Sequence, residues 1–178
     1  SPPEPIKALE YLRAAYVHYN SDPALLTRLA QQLISVGEIA EAEQLITEQL
    51  TKRQRDAVSL QLAGGFYATQ KDYVKATDFY EAALESDPQN YRVALQLAVI
   101  AQLKQVGYAS VLNAYSRAAS IEPQQTRAYE GMLRTAQNTE QVAAAVKRIE
   151  TLANDENTGA GVAVLAAYFS SVGEIDKA

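Results

Sequence analysis

Residues whose chemistry could support catalysis or metal binding are sparse in this chain. It has no cysteine and one histidine, His18, so thiol catalysis, disulfides and thiolate metal sites are excluded. No Ser, Asp or Cys accompanies His18 in a motif, so the residue lacks the partners of a catalytic triad or a metal site. We therefore expect no enzyme, no metal site and no cofactor.

Two short segments resemble ligand loops but lack their defining residues. Asp155-Glu156-Asn157 offers oxygen ligands without the alternating ligands and central Gly of a calcium loop, so we interpret it as a solvated turn. Gly159-Ala160-Gly161 has Val164 in place of the third Gly of a dinucleotide loop, and no strand precedes it. We interpret this segment as the entry to a helix.

Basic residues cluster at Lys52, Arg53 and Arg55. They follow the predicted end of a helix, where cations offset the negative end of the helix dipole. A docking patch is the alternative interpretation of this cluster.

The composition indicates a folded chain with an acidic balance. Hydrophobic residues make up 48% of the 178 residues, and the formal net charge is −5, which argues against phosphate-backbone binding and against attraction to anionic lipid. The longest strongly apolar stretch, 162–169, is far shorter than the roughly 20 residues that cross a bilayer. We expect one continuous body with no nucleic-acid partner and no membrane insertion of this segment.

Acidic residues followed by proline occur three times, each before a stretch with helical apolar spacing. These pairs are Asp22-Pro23, Asp87-Pro88 and Glu122-Pro123. An acidic side chain can accept a hydrogen bond from the free N–H groups of a helix start, and Pro at the first helical position sacrifices no hydrogen bond. Each pair is predicted to open a helix.

A turn sequence also recurs. Residues 36–42 return almost unchanged as 172–178, and 71–76 is a third version. In each, a short turn ends one helix, and an Ala follows where the next helix must approach its partner. The pattern predicts helical hairpins, whose corners lie at Gly37, Asp72, Gly107 and Gly173.

The predicted units begin at 23, 57 and 91, which are 34 residues apart. The unit from 57 carries Leu60, Ala63, Gly64, Tyr67, Ala76, Tyr80, Ala83 and Pro88. This series closely resembles the tetratricopeptide repeat signature, with Leu60 in place of the opening Trp. The resemblance implies an all-α, right-handed superhelical solenoid of antiparallel helix pairs, in which neighbouring units share apolar faces.

The resemblance extends over nearly the whole chain. It predicts a linker and the second helix of an upstream repeat at 1–22, repeats at 23–56, 57–90 (the best match) and 91–125, a degenerate repeat at 126–158, and a truncated repeat at 159–178. We expect the truncated repeat to leave an apolar face near Val162, Leu165 and Phe169 without its usual cover, and we expect the chain to self-associate there.

The resemblance implies a scaffold or adaptor that binds a protein or peptide segment on the concave side, which the first helix of each unit lines. The polar residues there form our candidate binding surface: Thr27, Gln31, Gln61, Arg92, Gln102, Arg127, Glu130, Arg134 and Gln137. Some family members hold the terminal carboxylate of heat-shock chaperones with Lys and Asn. Thr27 and Gln31 occupy those places, so that role is disfavoured.

Two alternatives stay open from the sequence: an RNA-binding helical repeat, against which the acidic balance argues, and a regulatory or anchoring arm of a larger enzyme. The Gln- and Ala-rich style and the proline-rich beginning are similar to those of bacterial repeat proteins of envelope assembly, secretion or polysaccharide export. The expected location is therefore the bacterial periplasm or envelope rather than the cytoplasm.

Overall fold

The computed structural model describes residues 4–53 and 55–173, and this part of the chain forms ten α-helices. The chain divides into two compact units, the first ending at Ser86 and the second beginning at Asp87. The composition does not signal this division. In a helical-repeat fold each hairpin contacts chiefly its neighbours, so even composition is compatible with separate contact units.

The first unit contains five helices. These are α1 (Glu4–His18), α2 (Pro23–Val36), α3 (Ile39–Lys52), α4 (Ala57–Thr69) and α5 (Tyr73–Ser86). Each helix packs against the next along the chain, and α2 also contacts α4. The fully buried side chains of Leu26, Leu33 and Ala42 lie at the centre of this core, and α1 contributes Leu9.

The second unit repeats this arrangement. It contains α6 (Tyr91–Leu103), α7 (Tyr108–Ile121), α8 (Thr126–Arg134), α9 (Thr139–Asp155) and α10 (Gly159–Ser171). Sequential helices from α6 to α10 pack together, α7 also contacts α9, and α8 also contacts α10. Tyr115, Tyr129, Met132 and Ile149 are its largest fully buried side chains.

The acidic residue and proline pairs open a helix in one case of three. Asp22 caps α2 by accepting a hydrogen bond from the backbone N–H of Ala24 at 2.8 Å, and Pro23 is the first helical residue. The other two predictions are wrong. After Asp87-Pro88 the chain makes a turn, and Asn90 caps α6 by accepting from the N–H of Val93 at 3.2 Å.

The Glu122-Pro123 pair also lies in a turn that precedes its helix. The backbone carbonyl of Glu122 accepts from the N–H of Gln125 at 3.1 Å, and α8 begins only at Thr126. In both cases the acidic residue lies one turn too early to reach the free N–H groups of the helix start.

The hairpin corners use left-handed backbone conformations. Gly37 has φ 87° and ends α2, where the N–H groups of Gly37 and Glu38 donate to the carbonyls of Ile34 and Leu33. The corner at Asp72 has no glycine, and Lys71 adopts φ 61° instead. Gly173, with φ 77°, follows α10, and the predicted start of the next helix at 174–178 lies outside the described residues.

The apolar face expected to lack cover on α10 is smaller than the sequence suggested. Val162 is 57% exposed, in agreement with that expectation, but Leu165 is buried at 8% exposure. Leu165 points into the packed side of α10, which contacts both α8 and α9, so its inclusion in the uncovered face was wrong.

Candidate functional site

An open groove of about 540 Å³ runs between α8 and α10 in the second unit. Thr126, Glu130, Leu133 and Arg134 line it from α8. Ala163, Val164, Ala167, Tyr168 and Ser171 line it from α10. It is the candidate functional site, and we call it the α8–α10 groove.

The sequence of α8 explains one wall of the groove. Tyr129 and Met132 are fully buried and fix the inner face of this nine-residue helix. Glu130 and Arg134, four residues apart, therefore share the opposite face and remain exposed. The carboxylate of Glu130 and the guanidinium of Arg134 therefore lie one helical turn apart along the rim of the groove.

The other wall is formed by a helix without a charged residue. The α10 sequence between Gly159 and Ser171 consists of apolar and small residues with one Tyr. Val164 is buried and forms part of the floor, whereas Ala163 and Ala167 are exposed. Because Ala163 and Ala167 have small apolar side chains, this part of the wall leaves space for side chains of a bound segment.

The charged rim is available for intermolecular pairing. Within residues 4–53 and 55–173, no ion pair engages Glu130 or Arg134. The floor residue Leu133 is 9% exposed. The groove can therefore accept an apolar side chain on its floor while Arg134 or Glu130 pairs with a neighbouring charge.

The α10 wall was not predicted from the sequence, although the spacing of its alanines could have indicated it. Ala163 and Ala167 follow Glu130 and Arg134 by 33 residues each, which is close to the repeat length. They occupy the equivalent positions on α10, the first helix of the next predicted repeat. The predicted binding surface consisted of polar and charged residues and therefore did not include the two alanines that create space.

Three candidate residues lie in the first unit, on the neighbouring helices α2 and α4. Gln31 is exposed and Gln61 is half-buried. Thr27 is half-buried, and its hydroxyl donates to the backbone carbonyl of Pro23 at 2.8 Å. Of the three, Gln31 offers the most accessible polar group.

The remaining candidates belong to the second unit. Arg92 on α6, Arg127 on α8 and Gln137 after α8 are exposed. Gln102 is half-buried, and its side-chain carbonyl accepts from the Tyr115 hydroxyl at 3.0 Å. The Tyr115 hydroxyl therefore engages the side-chain carbonyl of Gln102, whereas Glu130 and Arg134 are the two candidates that line the same groove.

The pKa of Tyr91 on α6 depends on burial and on charged residues around the start of α8. Burial is the main cause that raises the pKa of Tyr91, and the negative charge of Glu122 raises it further. Arg127 acts in the opposite direction and lowers the pKa. The Tyr91 side chain thus lies within electrostatic reach of Glu122 and Arg127.

The basic cluster of the first unit is occupied by intramolecular contacts. Lys52 pairs with Glu48, and Arg53 pairs with Asp56 at 2.7 Å. The Arg55 guanidinium lies over the Phe79 ring, 5.4 Å from its centroid. These contacts favour a structural role for the cluster.

Within the described ranges, no group of His, Asp and Glu side chains could hold a metal ion. Across the same residues, no helix combines the length and apolar character required to cross a membrane.

Comparison with known sequences gives a partial match. No protein family model matches the chain. Human tetratricopeptide repeat protein 7A is 31% identical over 87 residues, which are 49% of this chain and 10% of the relative. The chain thus spans about a tenth of the length of that curated relative.

Solved structures match over most of the chain. MamA from Desulfovibrio magneticus RS-1 gives a TM-score of 0.64 at 18% identity, over 86% of each chain. A further crystal structure of MamA gives 0.63 at 15% identity, over 84% of this chain and 81% of that chain. A tetratricopeptide repeat protein from Parabacteroides merdae ATCC 43184 gives 0.62 at 17% identity, over 96% of this chain and 68% of that chain.

At these identities the structural likeness concerns the fold. It agrees with the repeat residues of 57–90 and with the helices of the described part. The predicted all-helical repeat architecture is confirmed: the chain has the fold of the tetratricopeptide repeat proteins, which serve as scaffolds for protein–protein interactions.

Proposed function

We propose that this chain is an adaptor that binds a protein segment in the α8–α10 groove. The observation that carries this proposal is an apolar groove of about 540 Å³ whose rim holds Glu130 and Arg134. Clefts that recognise a ligand combine an apolar lining with a few convergent polar groups, and this groove has both. Helical-repeat proteins also use the surfaces of successive helices as extended binding sites.

The chemistry of the groove specifies the bound segment. An apolar side chain would cover Leu133 and Val164 on the floor and remove their remaining exposed surface from water. Arg134 would pair with a carboxylate next to that side chain, since a guanidinium can form two parallel hydrogen bonds to a carboxylate. The partner segment is therefore apolar with a flanking acidic residue.

The experiment uses a defined probe rather than an unknown partner. The anisotropy of a labelled synthetic peptide with Leu next to Asp is measured against increasing concentrations of the chain. A second peptide carries Lys in place of Asp. We expect the wild-type chain to prefer the acidic peptide and Arg134→Glu to prefer the basic one.

Two matched variants separate groove binding from unspecific binding. Ala163→Glu places a carboxylate in the apolar wall and should abolish binding of both peptides. Val74→Glu adds the same charge at an exposed position of α5 and should leave binding unchanged. Equal affinity for both peptides, together with no effect of Ala163→Glu, would refute the proposal.

The wider binding surface is proposed for each unit separately. In the first unit it includes Thr27, Gln31 and Gln61. In the second it includes Arg92, Gln102, Arg127 and Gln137 in addition to Glu130 and Arg134. Long amides and arginines can hydrogen-bond the backbone and carboxylates of a bound segment, which supports their inclusion.

The setting that we propose is a bacterial envelope assembly, secretion or polysaccharide-export system. The composition supports this setting, and two of the matched structures come from bacteria. The test is protease treatment of bacteria that express the full-length tagged protein. Cleavage only after the outer membrane is permeabilised would support a periplasmic location, and recovery in the cytoplasmic fraction would exclude it.

A further inference from the structure

Two arginines in the second unit have no acidic partner. Arg117 lies on α7 and Arg148 on α9, two helices that contact each other, and both side chains are exposed. Among the residues that the structure describes, neither arginine forms an ion pair. No Asp or Glu lies three or four residues from either arginine, so neither can pair with an acid one turn away on its own helix.

An amide holds one of these guanidinium groups in place. Arg148 Nη2 donates to Asn113 Oδ1 at 3.4 Å, from α9 across to α7. Asn113 lies four residues before Arg117, so the two share one face of α7, about 6 Å apart along its axis. The contact therefore places the Arg148 guanidinium on the face of α7 that carries Arg117, and it leaves the positive charge of Arg148 uncompensated.

The first unit shows how such a charge is neutralised. There Arg13 crosses from α1 to α3, where its Nε donates to Glu41 Oε1 at 2.9 Å, and the two side chains form an ion pair. In the second unit the arginine that crosses between helices meets Asn113 rather than a carboxylate. Arg117 and Arg148 thus form a local positive site in a chain whose formal net charge is −5. An anion bound between them would offset the repulsion of the like charges.

We propose that Arg117 and Arg148 form a second binding site, the α7–α9 arginine site, which takes an acidic segment of a partner protein. A guanidinium can form two parallel hydrogen bonds to a carboxylate, so two arginines can hold two Asp or Glu side chains of one segment. The net negative charge of the chain opposes long polyanions such as nucleic acid. A short acidic segment needs only the local positive charge, which favours a protein ligand.

The arginine site is separate from the α8–α10 groove of the proposed function. The described residues that line the groove come from α8 and α10, whereas Arg117 and Arg148 lie on α7 and α9. The chain can therefore bind one segment in the groove and another at the arginine site. Two such sites would let the chain join two partners, and each site can be tested without the other.

The test measures the anisotropy of a labelled peptide of alternating Glu and Ser with the whole chain at physiological salt, where distant charges are screened. Every chain carries Arg134→Glu, so that the groove no longer favours acidic ligands. Adding Arg117→Glu and Arg148→Glu replaces two attractions with two repulsions and should weaken binding at least about tenfold. The same peptide with Gln in place of Glu should not bind.

Arg28→Glu with Lys104→Glu is the matched control. Both residues are exposed, and this pair of substitutions changes the net charge by the same amount, so binding should change less than about twofold. Circular dichroism verifies that both double variants have kept their helices. A labelled single-stranded oligonucleotide is the second probe, and it should bind more weakly than the Glu peptide.

Three results would overturn the inference: no binding of the Glu peptide, equal weakening by the arginine pair and the control pair, or tighter arginine-dependent binding of the oligonucleotide, which would assign the site to phosphate. In a chain that keeps Arg134, the Leu-Asp peptide should bind with nearly equal affinity with and without the arginine pair of substitutions. If that peptide fails to bind while the Glu peptide binds, the proposed function fails and this inference stands.

Discussion

The Tyr80 ring of α5 lies directly against Gly64 of α4. A β carbon added at Gly64 would be 2.5–2.8 Å from three atoms of that ring, closer than carbon atoms approach in proteins. Tyr80 is 4% exposed, so the ring cannot move outward without losing its burial. The absence of a side chain at Gly64 thus determines the distance between the two helices of this hairpin.

Gly64→Ala should therefore destabilise the chain. Overpacking a tight contact costs about 1–3 kcal/mol, which outweighs the gain of roughly 1 kcal/mol from replacing a helical Gly by Ala. Gly65→Ala is the matched control, because its β carbon would be 3.5 Å from the Tyr80 hydroxyl, an ordinary contact. Urea unfolding should rank Gly65→Ala above wild type and Gly64→Ala below it, and the reverse order would contradict the packing.

Removing the ring tests the same contact from the other side. Tyr80→Ala should lower the free energy of unfolding by about 3–5 kcal/mol, the usual cost of truncating a buried aromatic side chain. Tyr73→Ala on the same helix is a half-buried control and should cost less. Equal losses in urea unfolding would show that Tyr80 is not the central contact of this hairpin.

Burial raises the pKa of Tyr80 to about 12. The folded state therefore keeps the phenol proton at pH values where the unfolded state, with a pKa near 10, has lost it. Stability from this group is complete below pH 10 and falls by about 2–3 kcal/mol as pH rises towards 12. Tyr80→Phe should show a shallower loss of urea midpoint between pH 10 and 12, and parallel curves would contradict the assignment.

Asp56 joins the first unit's third and fourth helices through its carboxylate. It caps α4 by accepting from the N–H of Ser59 at 2.9 Å, and it accepts from Arg53 Nε at 2.8 Å. Partial burial acts to raise the pKa of Asp56, but these hydrogen bonds outweigh it and lower the pKa below its usual value. Stability from this group is therefore present above pH 4 and lost at lower pH.

Asp56→Ala should cost about 0.5–2 kcal/mol at neutral pH, the usual loss when a helix cap is removed. Asp56→Asn keeps the cap oxygen and loses the ion pair, so it should cost less. Thermal unfolding distinguishes the two. A melting temperature that falls equally in both variants would assign the effect to Arg53 rather than to the cap.

Local signals in the sequence predicted the parts of the fold that depend on single residues. Asp22 caps α2, and the corner at Gly37 has the positive φ that favours glycine. The tight approach at Gly64 follows from the repeat signature and is present, with the Tyr80 ring of the same hairpin against Gly64. Each of these features needs only one residue type at one position.

Other features depend on which of two nearby residues caps a helix, or on side chains that two different helices bring together. Asp87 carries the right side chain for a cap, but Asn90 lies nearer the helix start and takes that role. The α8–α10 groove depends on two alanines of α10 facing two charged residues of α8. Glu130 and Arg134 are recognisable as charged residues of one helix face, whereas Ala163 and Ala167 are recognisable only by their offset of 33 residues from that pair.

The most direct measurement of the central claim is hydrogen exchange of the full chain with and without the Leu-Asp peptide. Binding in the α8–α10 groove predicts slower amide exchange in α8 and α10, with α3 and α5 unchanged, and no slowing in Ala163→Glu. Slower exchange confined to the first unit, or equal slowing in Ala163→Glu, would contradict the claim that this groove is the binding site.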